Sequence, residues 1–227
     1  DIDYEALKQD RPRLIQTMID GAGQKVRELH RANKLSGIIG IGGATNTLMC
    51  TGAMKALPFG IPKLMVSSNA SARGFASRYF GASDIAIMHS VIDFTSLNDL
   101  MRDVLDRAAG SIVGMVNKRA FHPTFDDLGK QAKPRVAMTM LNMCEKCAEY
   151  VKQHLEDEGY QVIGFSATGV PDMAMEELIE KEGIFSAVID LAPGAVAEEL
   201  LGGTRAAGPH RLEAAESRYS PNNSALP

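Results

Sequence analysis

Residues 36–50 read SGIIGIGGATNTLMC, and the fold turns on how this stretch is read. Its first part is a short unbroken apolar run closing in glycines, the form of a parallel strand buried on both faces. Its second part opens a helix, with Thr45 or Asn46 as candidate caps. A strand that runs through a glycine turn into a helix is the first arm of a βαβ unit. Ligands of such units gather outside the carboxyl end of the strand.

Working outward, Leu7, Leu14, Ile15, Met18, Ile19, Val26 and Leu29 recur at three- and four-residue steps, which predicts helix between Tyr4 and Lys34, split in two by Pro12. Downstream the pattern predicts a helix from Asn46 to Leu57, a strand at PKLMVSS (62–68), a polar loop at NASARGFASRYFG (69–81) and a strand at DIAIMHSV (84–91). A long helix from Ser96 to about Lys118 follows, with Leu97, Leu100, Met101, Val104, Leu105, Ala108, Ile112 and Met115 on its buried face. Residues 119–133, RAFHPTFDDLGKQAK, lose both periods and read as a linker. The alternation then restarts: strand 135–140, helix from about Met143 to Glu158, strand 161–168, helix from Pro171 to Glu182, strand 187–193, and short helices around Val196 and His210. The expected architecture is α/β and doubly wound: two Rossmann-like halves, 1–118 and 134–217, each with a parallel sheet, and a cleft between them. The ending 218–227, without apolar period, reads as a tail.

A net charge of −4 with interspersed signs offers no basic face to nucleic acid, and the apolar runs fall short of a membrane span. Three cysteines make no disulfide framework, so a cytoplasmic, reducing setting is the expectation. No metal is expected, because the histidines at 30, 89, 122, 154 and 210 have no ligand spacing. Cys144-Glu145-Lys146-Cys147 opens a helix as redox pairs and half zinc sites do, yet it lacks a second ligand pair and reads as two small packing residues.

The sharpest chemical feature is the turn Gly42, Gly43, Ala44, Thr45, Asn46, Thr47. Glycines let a ligand approach the backbone, and the amides of a helix start attract an anion. Thr47 offers a hydroxyl to phosphate. The turn matches neither standard nucleotide fingerprint, lacking the Walker lysine and the dinucleotide spacing. A second loop, Ser67, Ser68, Asn69, Ala70, Ser71 with Arg73, ends the neighbouring strand and is expected to face the same crevice. His89 and Asp93 could serve as base and orienter. Thr168 and Gly169 end a strand of the second half and form a candidate facing wall, as do the turns at 190–194 and 202–203. Three readings stand: a binder of a nucleotide or phosphorylated metabolite, a metabolic enzyme on a small anion using His89, Asp93 or Cys147, and an interaction module whose turns only shape the chain.

GIIGIGG with its helix, AMKALPFGIPKLMVSS, SDIAIMHSVIDFTSLN, FSATG followed by AMEELIE, and GPHRLEAA, in this order, resemble the tomato mosaic virus resistance-protein family of ATP-binding domains, whose bacterial members are mostly uncharacterised. The resemblance runs from about Arg27 to Ala215. It implies a two-part Rossmann-like domain, ATP binding by the first half, and a homodimer; the plant member inhibits viral RNA replication by binding a replication protein. The family pattern G-G-S-G-G-T falls on Gly42 to Thr47, with Asn46 in place of a glycine. M-A-S-G-D falls on Asn69 to Arg73, with Arg73 in place of an acid. A tyrosine is replaced by His89, the family's single cysteine falls on Cys147, and T-G-T-G-G falls on Thr168 to Asp172. Family members carry an extra leading strand and continue beyond residue 217, so this chain is expected to be a piece of a longer polypeptide or a short relative, with an open sheet edge in its first half.

Overall fold

A computed structural model describes residues 9–121 and 133–219. The chain divides into two compact units, residues 1–124 and 125–227, and each holds one three-stranded parallel sheet. It is an α/β protein of two Rossmann-like halves.

In the first unit, helix α1 (Arg11–Arg31) begins on an Asp10 cap that accepts from the Arg13 amide at 3.1 Å. Gln9 is helical, Asp10 is not, and α1 starts afresh at Arg11, so the helical stretch is divided beside Pro12 as the pattern predicts, with Pro12 in the first turn, where no intrahelical N–H is needed. Strand β1 (Ile38–Gly42), helix α2 (Ala44–Met54), strand β2 (Lys63–Ser67) and strand β3 (Ala86–His89) follow. The strands lie in the order β1-β2-β3, with Gly42, Ser67 and His89 in register at their carboxyl ends. One sheet face carries Met65, Ile38 and Ile87 against Met54 and Cys50 of α2. A methyl group on Gly40 would fall 2.6 Å from Cys50 Cβ and 2.9 Å from Met65 Sδ, so glycine is what lets α2 approach β1 this closely. The other face packs Leu64, Val66 and Met88 against Val104, Ala108 and Ile112 of helix α3 (Asp99–Phe121).

Helix α3 runs three residues into the segment that the sequence pattern gives to a linker, while 122–132 lie outside the described residues. Leu97 precedes α3 and Leu100 faces outward, both exposed; neither belongs to the buried stripe expected of them. Lys63 lies fully buried at the amino end of β2. Its three donors reach Pro58 O at 2.7 Å, Ile61 O at 3.1 Å and Asp84 Oδ1 at 2.6 Å, so a buried ammonium is satisfied completely.

The second unit contains β4 (Arg135–Met140), a short 3₁₀ turn (Asn142–Cys144), α4 (Glu145–Asp157), β5 (Gln161–Ser166), α5 (Val170–Glu182), β6 (Ala187–Asp190), α6 (Gly194–Leu201) and α7 (Glu213–Tyr219). Residues 218 and 219, assigned to a tail by pattern, close α7, and 220–227 lie outside the described residues. The strand order is β5-β4-β6. Ala137, Ile163, Phe165 and Val188 pack on Met175 and Ile179 of α5.

On that same face the Arg211 guanidinium, 2% exposed, meets Asp172 at 3.3 Å, Glu176 at 2.6 Å and Asp190 at 3.1 Å. Asp190 also accepts from the Thr139 hydroxyl of β4. One cation thus holds three carboxylates from α5 and β6. Removing a partner from such a buried group leaves charges uncompensated. Arg211→Ala is expected to destabilise the second unit by about 3 to 5 kcal/mol, measured as the shift in its urea midpoint; a midpoint equal to the parent's refutes the hub.

Candidate functional site

The site is assembled where the three strands of the first unit end. Ser68 N donates to Gly42 O at 3.3 Å and Ser90 N donates to Ser67 O at 3.2 Å, so the ladder continues one residue past each strand. This sets the glycine turn, the 67–69 segment and the 89–90 segment side by side.

Beneath the turn runs a buried chain of hydroxyls. Thr47 and Ser67 are both 0% exposed, and their oxygens lie 2.7 Å apart. Thr47 donates to Gly43 O at 2.9 Å. That commits its proton, so Ser67 donates to Thr47, and Ser67 Oγ in turn accepts from the Asn69 amide at 3.1 Å. Every hydrogen is used. Thr47 and Ser67, singled out in the sequence for ligand contact, form the floor that fixes the turn.

Above the floor the surface is different. The N-cap of α2 is Gly43, not Thr45 or Asn46, and no side chain caps the helix. The first intrahelical bond is Thr47 N to Gly43 O at 2.8 Å, so the amides of Ala44, Thr45 and Asn46 have no intrahelical acceptor. Arg11, at the start of α1, donates to Thr45 Oγ1 at 3.3 Å. A guanidinium therefore stands over the positive end of the helix. Gly42 has φ 151°, and a methyl group there would fall 2.5 Å from Asn46 Cβ; the Asn46 side chain lies over Gly42. At Gly43, φ is −84° and a methyl group would find Ser68 Oγ at an ordinary 3.5 Å.

The remaining candidates spread around this turn. Ser68 is half-buried beside Gly43. Asn69 gives its side-chain amide to the Tyr79 hydroxyl at 2.9 Å, and Tyr79 is buried in a π-helical turn (Ala76–Phe80) that carries Arg78 over its ring. Ser71 and Arg73 are exposed. His89 is exposed, on the sheet face shared with Ser67. Asp93 is exposed and shares no side-chain hydrogen bond with His89 among the described residues. The sequence patterns did not point to Arg11, whose contact spans 34 residues.

Thr168 and Gly169 belong to the second unit. Thr168 is exposed and bonded to Ser166 at 3.3 Å. Gly169 has φ 94°, its amide is taken by Asp172 Oδ2 at 2.8 Å, and a methyl group there would fall 2.8 Å from Ala206 O. All three cysteines are free thiols. Cys144 exchanges hydrogen bonds with the Leu141 backbone at 3.2 and 3.3 Å, while Cys147 is exposed. Burial pushes the Cys50 thiol above its ordinary pKa, against a smaller lowering by the Ile41 backbone. Among the described residues no group of three or more His, Cys, Asp or Glu could hold a metal ion, and no helix is long and apolar enough to cross a membrane.

Residues 2–121 match the N-terminal domain of the uncharacterised protein family UPF0261, and residues 133–223 match its C-terminal domain. The chain belongs to the UPF0261 family. A UPF0261 protein of Clostridium tetani is 38% identical over 214 residues, covering 94% of this chain and 51% of that protein. A UPF0261 protein of Mesorhizobium japonicum is 38% identical over 187 residues, 82% of this chain and 43% of its own. The ToMV resistance protein Tm-1(GCR237) of Solanum lycopersicum is 35% identical over 180 residues, 79% of this chain and 23% of its own. This UPF0261 chain spans about half the length of its bacterial relatives and about a quarter of the tomato protein.

The buried relay makes Thr47 a stability position. Thr47→Val leaves the buried Ser67 hydroxyl without its acceptor, while Gly43 O keeps the Thr47 amide, at a cost of about 1 to 3 kcal/mol. Chemical denaturation of the first unit checks this, and an unchanged midpoint contradicts the relay.

Proposed function

We propose that the first unit binds the phosphate of a nucleotide, with ATP as the leading candidate, or of a phosphorylated small metabolite, on the turn from Gly42 to Asn46. The observation that carries this reading is the uncapped start of α2 with the Arg11 guanidinium beside it. Helix amides and an arginine together supply several charge-assisted donors to one anion. Ser68 stands within reach of Gly43, and Arg73 and Arg78 are exposed on the loop after β2. The printed names of the tomato relatives speak of resistance or susceptibility to ToMV and assign no ligand.

A metabolic enzyme acting on a small anion in the same crevice is the second reading, and His89 favours it: an imidazole stands exposed at the end of β3, in register with Ser67. We also place the protein in the cytoplasm and as a homodimer. Strand β1 pairs only with β2 among the described residues, and Ile39 and Ile41 on it are each 38% exposed. An open edge with apolar side chains is a surface that proteins normally cover. Light scattering at micromolar concentration is expected to give twice the 24.4 kDa chain mass, and a monomer ends the dimer reading.

Gly43→Val separates ligand binding from folding, because the backbone at Gly43 suits any residue while the valine methyls occupy the space above the amides. We expect its melting temperature to match the parent's. ATP with Mg²⁺, or a panel of sugar phosphates, should stabilise the parent by about 2.7 kcal/mol at a hundredfold excess over Kd and leave Gly43→Val unmoved. Arg11→Ala should weaken binding by about tenfold or more, the loss of a hydrogen bond to a charged group. A Gly43→Val protein that binds as the parent does puts the ligand elsewhere, and turnover of a ligand lost in His89→Gln favours the enzyme reading. No stabilisation of the parent by any of them leaves the interaction-module reading.

A further inference from the structure

The second unit contains a crevice that this phosphate site does not use. In the order β5-β4-β6 the chain leaves β4 for one neighbour and returns past it to the other. The carboxyl ends of β4 and β6 are therefore where the strand order reverses, the place where α/β sheets take ligands. A cavity of about 300 Å³ lies there, the lower end of the range for small-molecule pockets. Leu141 follows β4, Ala167 follows β5, and Leu191 and Ala195 lead into and begin α6; together they give the cavity an apolar wall.

Its polar groups are few. The Cys144 thiol is held by the Leu141 backbone. Glu198 is paired with Arg205: its Oε1 lies 3.2 Å from Nη2, and its Oε2 accepts from the Arg205 backbone amide at 3.2 Å. Arg205 is not saturated: its other guanidinium nitrogens have no hydrogen-bond partner among the described residues. The lining therefore offers one body of apolar surface and one group with donors to spare, and those donors suit a carboxylate.

We infer that this cavity binds a short aliphatic carboxylate, its hydrocarbon on Leu141, Ala167, Leu191 and Ala195 and its charge on Arg205. A phosphate has no apolar body for this wall, and an uncharged alcohol gives the guanidinium nitrogens of Arg205 that Glu198 does not engage no charged acceptor. The site is independent of the phosphate turn in the first unit.

The test follows alkylation of Cys144 by iodoacetamide in the full chain carrying Cys147→Ser, read by peptide mass spectrometry. Hexanoate is expected to slow Cys144 labelling saturably while Cys50 labelling stays constant. Hexanol and inorganic phosphate should protect poorly. Arg205→Leu should raise the half-protecting hexanoate concentration about tenfold or more with an unchanged melting temperature, since a half-exposed pair contributes little stability. Arg205→Lys should recover part of the protection. Failure of hexanoate to protect Cys144, equal protection in Arg205→Leu, or equal protection by hexanol or phosphate overturns the proposal.

Discussion

The first unit depends on a hydroxyl buried at the end of its central strand. Ser67 has no exposure and bonds Thr47 of α2 on one side and the Asn69 amide on the other. Through Thr47 it also reaches Gly43 O. Three short links fix the strand end, the turn and the helix start relative to one another. A buried polar chain of this kind is stable only when every member is satisfied, and here each is. The second unit repeats the device with different chemistry: Thr139 of central strand β4 donates to Asp190 and accepts from the Ala192 amide, fixing the end of β6.

The consequence is that the amides above Ser67 are held in place before any ligand arrives. For the anion proposed above, such donors would lose little conformational freedom on binding, which is the energetic advantage of a preorganised site. Gly40 and Gly42 serve the same end from the strand side. The first admits Cys50 of α2 against β1, and the second lets Asn46 fold over the backbone. The helix and the strand can be this close only because those two positions have no side chain.

Most of the fold was legible because period and composition are local properties. The apolar runs that close in Gly42 and at Ser67 are strands, and RVAMTM is β4 residue for residue. What was not legible depends on pairing across distance. The break beside Pro12 is legible, but the Asp10 cap that places it one residue before Arg11 is seen only in the structure. Thr47 reads as a ligand hydroxyl because its spacing from the glycines is right, and nothing local reveals that Ser67, 20 residues on, meets it inside the protein. Arg11 gives no signal at all, being one charge in an already charged segment. Leu97 and Leu100 fit the helical period, but α3 begins at Asp99, leaving Leu97 ahead of it and Leu100 on its exposed side. Net charge misleads in the same way. A chain at −4 commits Lys63 and Arg211 to buried acids and carbonyls, yet presents Arg11 to solvent at a helix start.

The two glycine turns that the sequence reads alike differ at one position. Counting three residues from the N-cap, Gly43 leads to Asn46 and Gly169 leads to Asp172. Asp172 reaches back to the Gly169 amide at 2.8 Å, the reciprocal half of a capping box. That carboxylate occupies the place an anionic ligand would take, and Glu176 and Asp190 share Arg211 with it. Phosphate would meet three acids held by one cation. Asn46 carries no charge and lies over Gly42, which leaves the start of α2 open to solvent with Arg11 beside it. The field at each turn is therefore set by the third helical residue and its nearest arginine. On that ground the proposed anion site falls in the first unit, and the turn at Thr168 and Gly169 is closed by its own aspartate.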